Sequence, residues 1–292
     1  MRKTIFTLST LGAIGAAALA TTGCGAGDVD PAAVAQAAEA TRAADTAKIR
    51  VRVATRGFGL PVPVTVDGAG TTALSEPAMD LTLDLGPALR LLGRGGDGAV
   101  RVKVDGKDVA VDPPEVEGFA VPDGADWLRL DLERTIAAMG IDARGLGEIL
   151  TIDPGAQLDV LRTAGDVEDL GEATVGGAQT THFRGTVKVE ELIAKLPAAR
   201  RAAARKALDA LEAQTETADD AAPFDVWVDD RDRIRRMEQR VAVPAQEGLP
   251  AGEVTIRMEL SGFGARLAAT APPRADTYDV TADVTRALRA QR

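Results

Sequence analysis

The chain has 292 residues and a net charge of −10, with 45% apolar, 27% charged and only 3% aromatic side chains. That length allows one large domain or two small ones, and the composition excludes collagen-like repeats, low-complexity disorder and a polytopic membrane protein. A single Cys and a single His exclude a cysteine-rich zinc module, a multi-histidine metal site and a disulfide framework, while the acidic balance argues against nucleic acid as a partner.

Arg2 and Lys3 precede an uncharged stretch over residues 4–26 whose apolar centre is residues 11–20. This reads as a secretory signal peptide. An uncleaved anchor competes, because about 20 uncharged residues can just cross a bilayer. The stretch ends in Thr21-Thr22-Gly23-Cys24, followed by Gly25. These residues resemble the bacterial lipobox, in which the Cys sulfur receives a diacylglycerol and the signal is cut before it. Thr21 departs from the aliphatic residue usual there, and plain secretion is the third reading. The expected organisation is a signal peptide at 1–23, a lipidated N-terminus and tether at 24–31, and one domain over 32–292. One acyl chain anchors a protein marginally, at about 0.8 kcal/mol per buried methylene, whereas two or three on Cys24 hold it durably.

Residues 32–45 are Ala-rich, with Val34, Ala37, Ala38 and Thr41 at helical spacing, and predict a helix. Ile49, Val51 and Val53 then alternate with Arg50 and Arg52. Leu81, Leu83 and Leu85 alternate with Asp80, Thr82 and Asp84, and Val100, Val102 and Val104 with Arg101 and Lys103. Val109 and Val111 resume after Asp105-Gly106, a hairpin signal. Leu128, Leu130 and Leu132 alternate with Arg129, Asp131 and Glu133. One apolar and one charged side is the pattern of an antiparallel sheet with one wet face.

Residues 136–150 show helical spacing broken by Gly140, Gly145 and Gly147. Asp153-Pro154 marks a helix start, Leu158 and Leu161 its buried side, and Gly165 its stop. Strands at 167–175 and 179–189 flank Gly176-Gly177. Residues 189–214 read as helical, with Val189, Leu192, Ile193 and Leu196 on one stripe and Pro197 as a break. An acidic loop at 215–223 leads to strands at 224–228, 233–243 and 253–260. From residue 268 the chain reads as extended, with a terminal turn at 284–288. Consecutive strands joined by tight turns predict an α+β fold with helices on one face of an antiparallel sheet.

The segment DPGAQLDVLRTAGDVEDLGEATVGGAQTTHFRGTV (residues 153–187) resembles actinobacterial lipoproteins of the LppX/LprG type, with Phe183 where Tyr is frequent. PFDVWVDDRDRIRRMEQRV (residues 223–241) is similar to a strand pair of that family, and Trp127-Leu128-Arg129-Leu130-Asp131 to another of its strands. With the lipobox, the resemblance covers most of the chain, and the order and spacing of the motifs carry it. It implies a LolA-like fold, a strongly curved antiparallel half-barrel whose concave face is covered by helices around an apolar cavity. It implies binding of an acyl lipid or lipoglycan for transfer or placement in the envelope. The lipobox places the protein on the outer face of the cell membrane, the resemblance leaves room for envelope transport partners, and the residues themselves, with no nucleophile, base and orienting set to assemble, read as a protein that is not an enzyme and has no cofactor or metal.

A lipid leaving a bilayer exposes its chains to water at about 25 cal/mol per Å2, so a carrier must offer an equivalent dry surface. The candidate wall comprises Ile49, Val51, Val53, Leu81, Leu83, Val102, Val104, Leu128, Leu130, Phe183, Ile256, Met258 and Leu260. The competing reading is that these residues simply pack together as core. A non-carrier envelope sensor or interaction module of the same fold is the alternative function, and a continuous apolar void discriminates the two.

The remaining features read as structural. His182 lacks a nucleophile and an orienting group, there is no G-x-S-x-G elbow, and Ser9, Ser75 and Ser261 stand in no recognisable context. Asp229-Asp230-Arg231-Asp232 fits a hairpin turn better than a calcium loop. Residues 93–98 (GRGGDG) lack a following Lys-Ser/Thr and read as a mobile loop or flap at a cavity mouth. Arg200, Arg201, Arg205 and Lys206 form either a solvated helical face or a contact for anionic headgroups. Trp127 and Trp227 read as buried packing anchors.

Overall fold

Period-two alternation separated by tight turns produces a single sheet in a computed structural model of the chain. The structure describes residues 27–91, 93, 95–114, 121–138, 154–162, 165–188, 190, 193–194, 201–202, 205, 221–243, 245, 250–267 and 271–290. The strands are β1 (Gly27–Val29), β2 (Thr46–Gly57), β3 (Val64–Ala73), β4 (Ala78–Asp84), β5 (Ala99–Asp105), β6 (Asp108–Asp112), β7 (Trp127–Asp131), β8 (Gly165–Val175), β9 (Ala178–Lys188), β10 (Ala221–Asp229), β11 (Ile234–Val243), β12 (Gly252–Ser261) and β13 (Thr277–Asp279). The helices are α1 (Ala32–Arg42), α2 (Gly86–Leu91), α3 (Leu132–Ala138), α4 (Pro154–Leu161) and α5 (Thr281–Ala290).

The 13 strands form one sheet in the order β1-β8-β9-β10-β11-β12-β2-β3-β4-β5-β6-β7-β13. Neighbours pair antiparallel throughout, except β13, which adds parallel to β7. The sheet is open, and the fold is α+β. Its curvature follows from what packs together. One core cluster joins Val34, Ala37 and Ala38 of α1 and Leu158 and Leu161 of α4 to Val167 of β8, Phe224 of β10, Ile49 of β2 and Leu81 of β4. From β8 to β4 a flat sheet would span roughly 34 Å at about 4.8 Å per strand. Two helices about 10 Å across cannot touch all of that. The sheet therefore wraps around α1 and α4, as a half-barrel with helices on its concave face.

Local chemistry fixes the corners. Gly176 (φ 57°) and Gly177 (φ 83°) supply the two left-handed residues of the β8–β9 turn, the geometry that matches strand twist. The Asp229 carboxylate accepts the Arg231 and Arg233 N–H groups at 3.0 and 2.9 Å, so 229–232 is the hairpin turn expected. Thr41, fully buried, donates to the Ala37 carbonyl at 2.6 Å and accepts the Ile234 N–H at 2.7 Å. That hydroxyl ties α1 to the start of β11.

Five elements differ from the sequence reading: α2 forms where no helix is predicted, and Leu132 and Glu133, read as the end of a strand, open α3, which leaves Leu132 36% exposed. Within the stretch read as a tether, residues 27–29 pair with β8 as an edge strand. β3 stands between β2 and β4 where no strand is predicted. Its inner positions run Val64, Val66, Gly68 and Gly70, and a Cβ on Gly68 would meet the Leu83 side chain, so the bulky alternation stops after two residues. The C-terminus holds more than a turn. β13 pairs with β7, and α5 follows, started by the Asp279 carboxylate accepting the Thr281 N–H at 2.9 Å. Most of 136–150 and 189–220 lies outside the described residues.

Candidate functional site

Strand register decides which side chains share a face. Ile49, Val51 and Val53 pair with Leu260, Met258 and Ile256 on β12. On the other side the face passes through β3 to Leu81 and Leu83, and then to Val102 on β5. Val104 pairs with Val109, and Leu130 and Leu128 with Val109 and Val111. Met258 pairs with Met237, Met237 with Val226, and Val226 with Phe183. All thirteen predicted wall residues thus lie on one concave, apolar face. Val66, Val100, Val241 and Val254 belong to it as well; Val66 lies in the unpredicted β3, and the other three lie in strands whose alternation was read but are not among the predicted wall.

That face has two regimes. Ile49, Leu81, Met258 and Leu260 are 2–3% exposed and belong to the core under α1 and α4. Val51, Val104 and Phe183 pack against that core while half-buried. Val53, Leu83, Val102, Leu128, Leu130 and Ile256 are half-buried and lie outside the core cluster. They mark the part of the apolar face that lies outside the core under α1 and α4.

The convex face is a cross-strand charge array. Arg52 meets Asp67 at 2.6 Å, Arg236 meets Glu259 at 2.6 Å, and Arg101 meets Asp80 at 2.7 Å. Glu238, with a side chain 4% exposed, sits between Arg240 and Arg257, each at 2.7 Å. Burial alone would raise the Glu238 pKa, but the two guanidiniums outweigh it and hold the group below its ordinary value. Asp229 behaves alike. Burial opposes its charge, while two backbone N–H groups, Arg233 and Arg235 keep its pKa lowered. Asp131 is likewise held low against burial by Lys107 and the Arg134 N–H, which fastens the β5–β6 hairpin to α3.

Both Trp residues stand on this charged face rather than in the main core. His182 stacks on Trp227 at 4.1 Å between ring centroids, Arg236 lies over the same ring at 5.1 Å, and the His182 Nε2 is 2.7 Å from Asp225. Lys103 sits over the Trp127 ring at 5.5 Å. The rings are buried at 9% exposure by cations and His, so they anchor packing by a route periodicity does not reveal. The Ser75 hydroxyl donates to Asp45 at 2.8 Å, apart from the His182 network.

Grooves of about 660 and 500 Å3 open on the charged face. The first is lined by Arg50, Arg52, Asp67, Thr82, Asp84 and Arg257, and reaches Val51, Gly68 and Leu83 at its edge. Among the described residues, no His, Cys, Asp and Glu group could hold a metal ion, and no helix is long and apolar enough to cross a membrane. Arg205 meets Glu190 at 3.3 Å. Cys24, Arg200 and Lys206, like Arg94 of the 93–98 loop, lie outside the described residues.

No family model matches the chain. The chain is similar to bacterial lipoproteins. A Streptomyces coelicolor protein named as an inferred lipoprotein is 29% identical over 159 residues, which is 53% of this chain and 43% of that protein. The match spans less than half the length of that relative. Among solved structures, Mycobacterium tuberculosis lipoprotein LppX is 16% identical, with 82% of this chain and 99% of that one covered at a TM-score of 0.45. LprF from Mycobacterium bovis is 16% identical, with 85% and 99% covered at 0.38. A LolA superfamily protein from Nitrosomonas europaea is 10% identical, with 79% and 92% covered at 0.30.

Proposed function

We propose that the chain is an extracytoplasmic lipoprotein, anchored through a diacylglyceryl group on Cys24, that binds an acylated lipid or glycolipid against its concave face for transfer or placement. The observation that carries this reading is the continuity of the apolar face from β9 to β7, with its Val53, Leu83, Val102, Leu128, Leu130 and Ile256 portion only half covered. Aliphatic side chains without directional polar groups suit hydrocarbon tails, which gain roughly 25 cal/mol for each Å2 withdrawn from water. Asp225 gives His182 the orienting carboxylate that the sequence did not reveal, while the Ser75 hydroxyl donates to Asp45 in a separate network, so the non-enzymatic reading rests on the apolar face and not on His182.

The sensor or interaction-module reading has its own support. Ile49, Leu81, Met258 and Leu260 are covered by the chain's own helices, and the grooves above are lined largely by charged residues. Native mass spectrometry of the chain from a lipid-rich host separates the two. A co-purifying acyl lipid, released by organic solvent, is the expected result, and a uniformly empty protein favours the module. Intact-mass analysis of the processed chain tests the anchor, which requires an N-terminal Cys24 carrying diacylglycerol.

A further inference from the structure

Four large apolar side chains among the described residues stand exposed: Val62 at 55%, Val241 at 48%, Leu91 at 38% and Leu132 at 36%. Register places the first three at one end of the sheet. Gly57 pairs with Gly252, Val241 with Val254, Val64 with Thr55, and Asp67 with Asp84, just before α2. Leu132, after β7, lies at the other end. The β2–β3 hairpin tip reads GFGLPVPVTV over residues 57–66, with no charge between Arg56 and Asp67.

This tip is built rather than loose. Phe58 holds a left-handed backbone (φ 55°), donates its N–H to the Ala251 carbonyl at 3.0 Å, and lays its ring where a side chain on Gly252 would stand. Leu60 donates to Gly57 at 2.9 Å. Pro61 and Pro63 fix their own φ angles. A backbone strained at one residue and clamped by its neighbour persists where the surroundings over-determine it. The result presents Leu60, Pro61, Val62 and Pro63 beyond the strand ends, with Pro250 and Ala251 beside them.

Directly behind the tip, on the charged side, a groove of about 500 Å3 is lined by Arg52, Arg56, Arg240 and Arg257 against Glu238 and Glu253. Four guanidiniums face Glu238 and Glu253, and Asp67 takes up Arg52 beside the groove, which leaves an excess of one positive charge here in a chain that is acidic overall. An uncharged apolar edge backed by local positive charge is the chemistry that meets an anionic bilayer surface, apolar residues at the acyl boundary and cations at the phosphates. The same edge continues into the half-covered end of the concave face through Val241, Val254, Ile256 and Val53.

We infer that the β2–β3 tip, braced by the β11–β12 hairpin, docks on an anionic lipid bilayer and brings the half-covered end of the apolar face to the membrane. The inference rests on the lipid-binding reading for its purpose only; the docking is measured without a bound lipid.

The test uses the full chain reconstituted into vesicles of phosphatidylglycerol and phosphatidylcholine brominated on the acyl chains, which quench nearby tryptophan. Trp127 and Trp227, both 9% exposed, supply a constant background. Val62→Trp loses emission at least about twofold by burial at the acyl boundary, whereas Glu76→Trp, on the β3–β4 turn at the opposite end, does not. Both variants keep the wild-type urea midpoint. Replacing phosphatidylglycerol by phosphatidylcholine weakens quenching at position 62, as does salt near about 1 M, where charges are screened beyond about 3 Å. Equal quenching at 62 and 76, or none at either, overturns the docking. Undiminished quenching in neutral vesicles overturns the anionic assignment. A quenched position 62 with no co-purifying lipid leaves docking intact and removes the carrier; a bound lipid without quenching does the reverse.

Discussion

The two parts of the concave face are made from the same residue types and differ in what lies over them. Beneath α1 and α4, Ile49, Met258 and Leu260 are closed off by Val34, Ala37, Leu158 and their neighbours. Four residues along β2 from Ile49 and two along β12 from Met258, Val53 and Ile256 are half-buried, and Val241 on β11 is 48% exposed. One stripe of alternating aliphatics therefore serves both as core and as open wall. Burial, not residue identity, separates the two.

The largest effect that sharpens this contrast comes from α4. Leu158→Ala, at a fully buried position, is expected to cost about 2–5 kcal/mol, read as a lower urea midpoint at constant slope. Leu83→Ala, in the half-covered part, is expected to cost well under half of that. Equal losses would mean that the face is uniformly packed.

Next is the polar tie between helix and sheet. Thr41→Val keeps the shape but leaves the buried Ile234 N–H without its acceptor. About 1–3 kcal/mol of stability is expected to go, with amide exchange at Ile234 accelerating.

Overfilling tests the contrast in the other direction. Met258→Trp forces volume into the closed part and is expected to cost about 1–3 kcal/mol. Ile256→Trp, one inward-facing residue away, is expected to leave the midpoint within about 1 kcal/mol while reducing any co-purifying lipid. Reversed costs would place the open space elsewhere.

The smallest effect concerns the convex face. Glu238 and Asp229 have folded-state pKa values below their ordinary 4.5 and 3.8, so as pH falls the unfolded chain takes up protons first. Their contribution is complete above those ordinary values and is lost as pH falls through the folded ones. Urea midpoints measured between pH 6 and pH 3 should fall less steeply in Glu238→Gln than in the parent.

Much of this was legible in the strands themselves. The alternation at Ile49–Val53, Leu81–Leu83 and Ile256–Leu260 assigned each residue to a face, and the register sets these side chains on the same side of the sheet. The Asp105-Gly106 and Gly176-Gly177 signals marked hairpins that form. β3 was missed because its inner alternation, Val64 and Val66, gives way to Gly68 and Gly70, where β4 approaches closely. β13 was invisible because three residues, Thr277, Tyr278 and Asp279, are a strand only by virtue of the β7 edge they join. The β2–β3 tip carried a signal, an uncharged Gly- and Pro-rich run, that reads as an ordinary turn until its exposure is known.

The linear order of residues determined the α+β class, the apolar and charged sides of the sheet, and most hairpins, because side-chain period and turn chemistry act over a few neighbouring residues. Only the tertiary structure decided how far the sheet bends, which stretch of the apolar side the helices close, and which end stays bare. Those outcomes depend on contacts between segments more than a hundred residues apart, such as Thr41 with Ile234, and no local pattern encodes them.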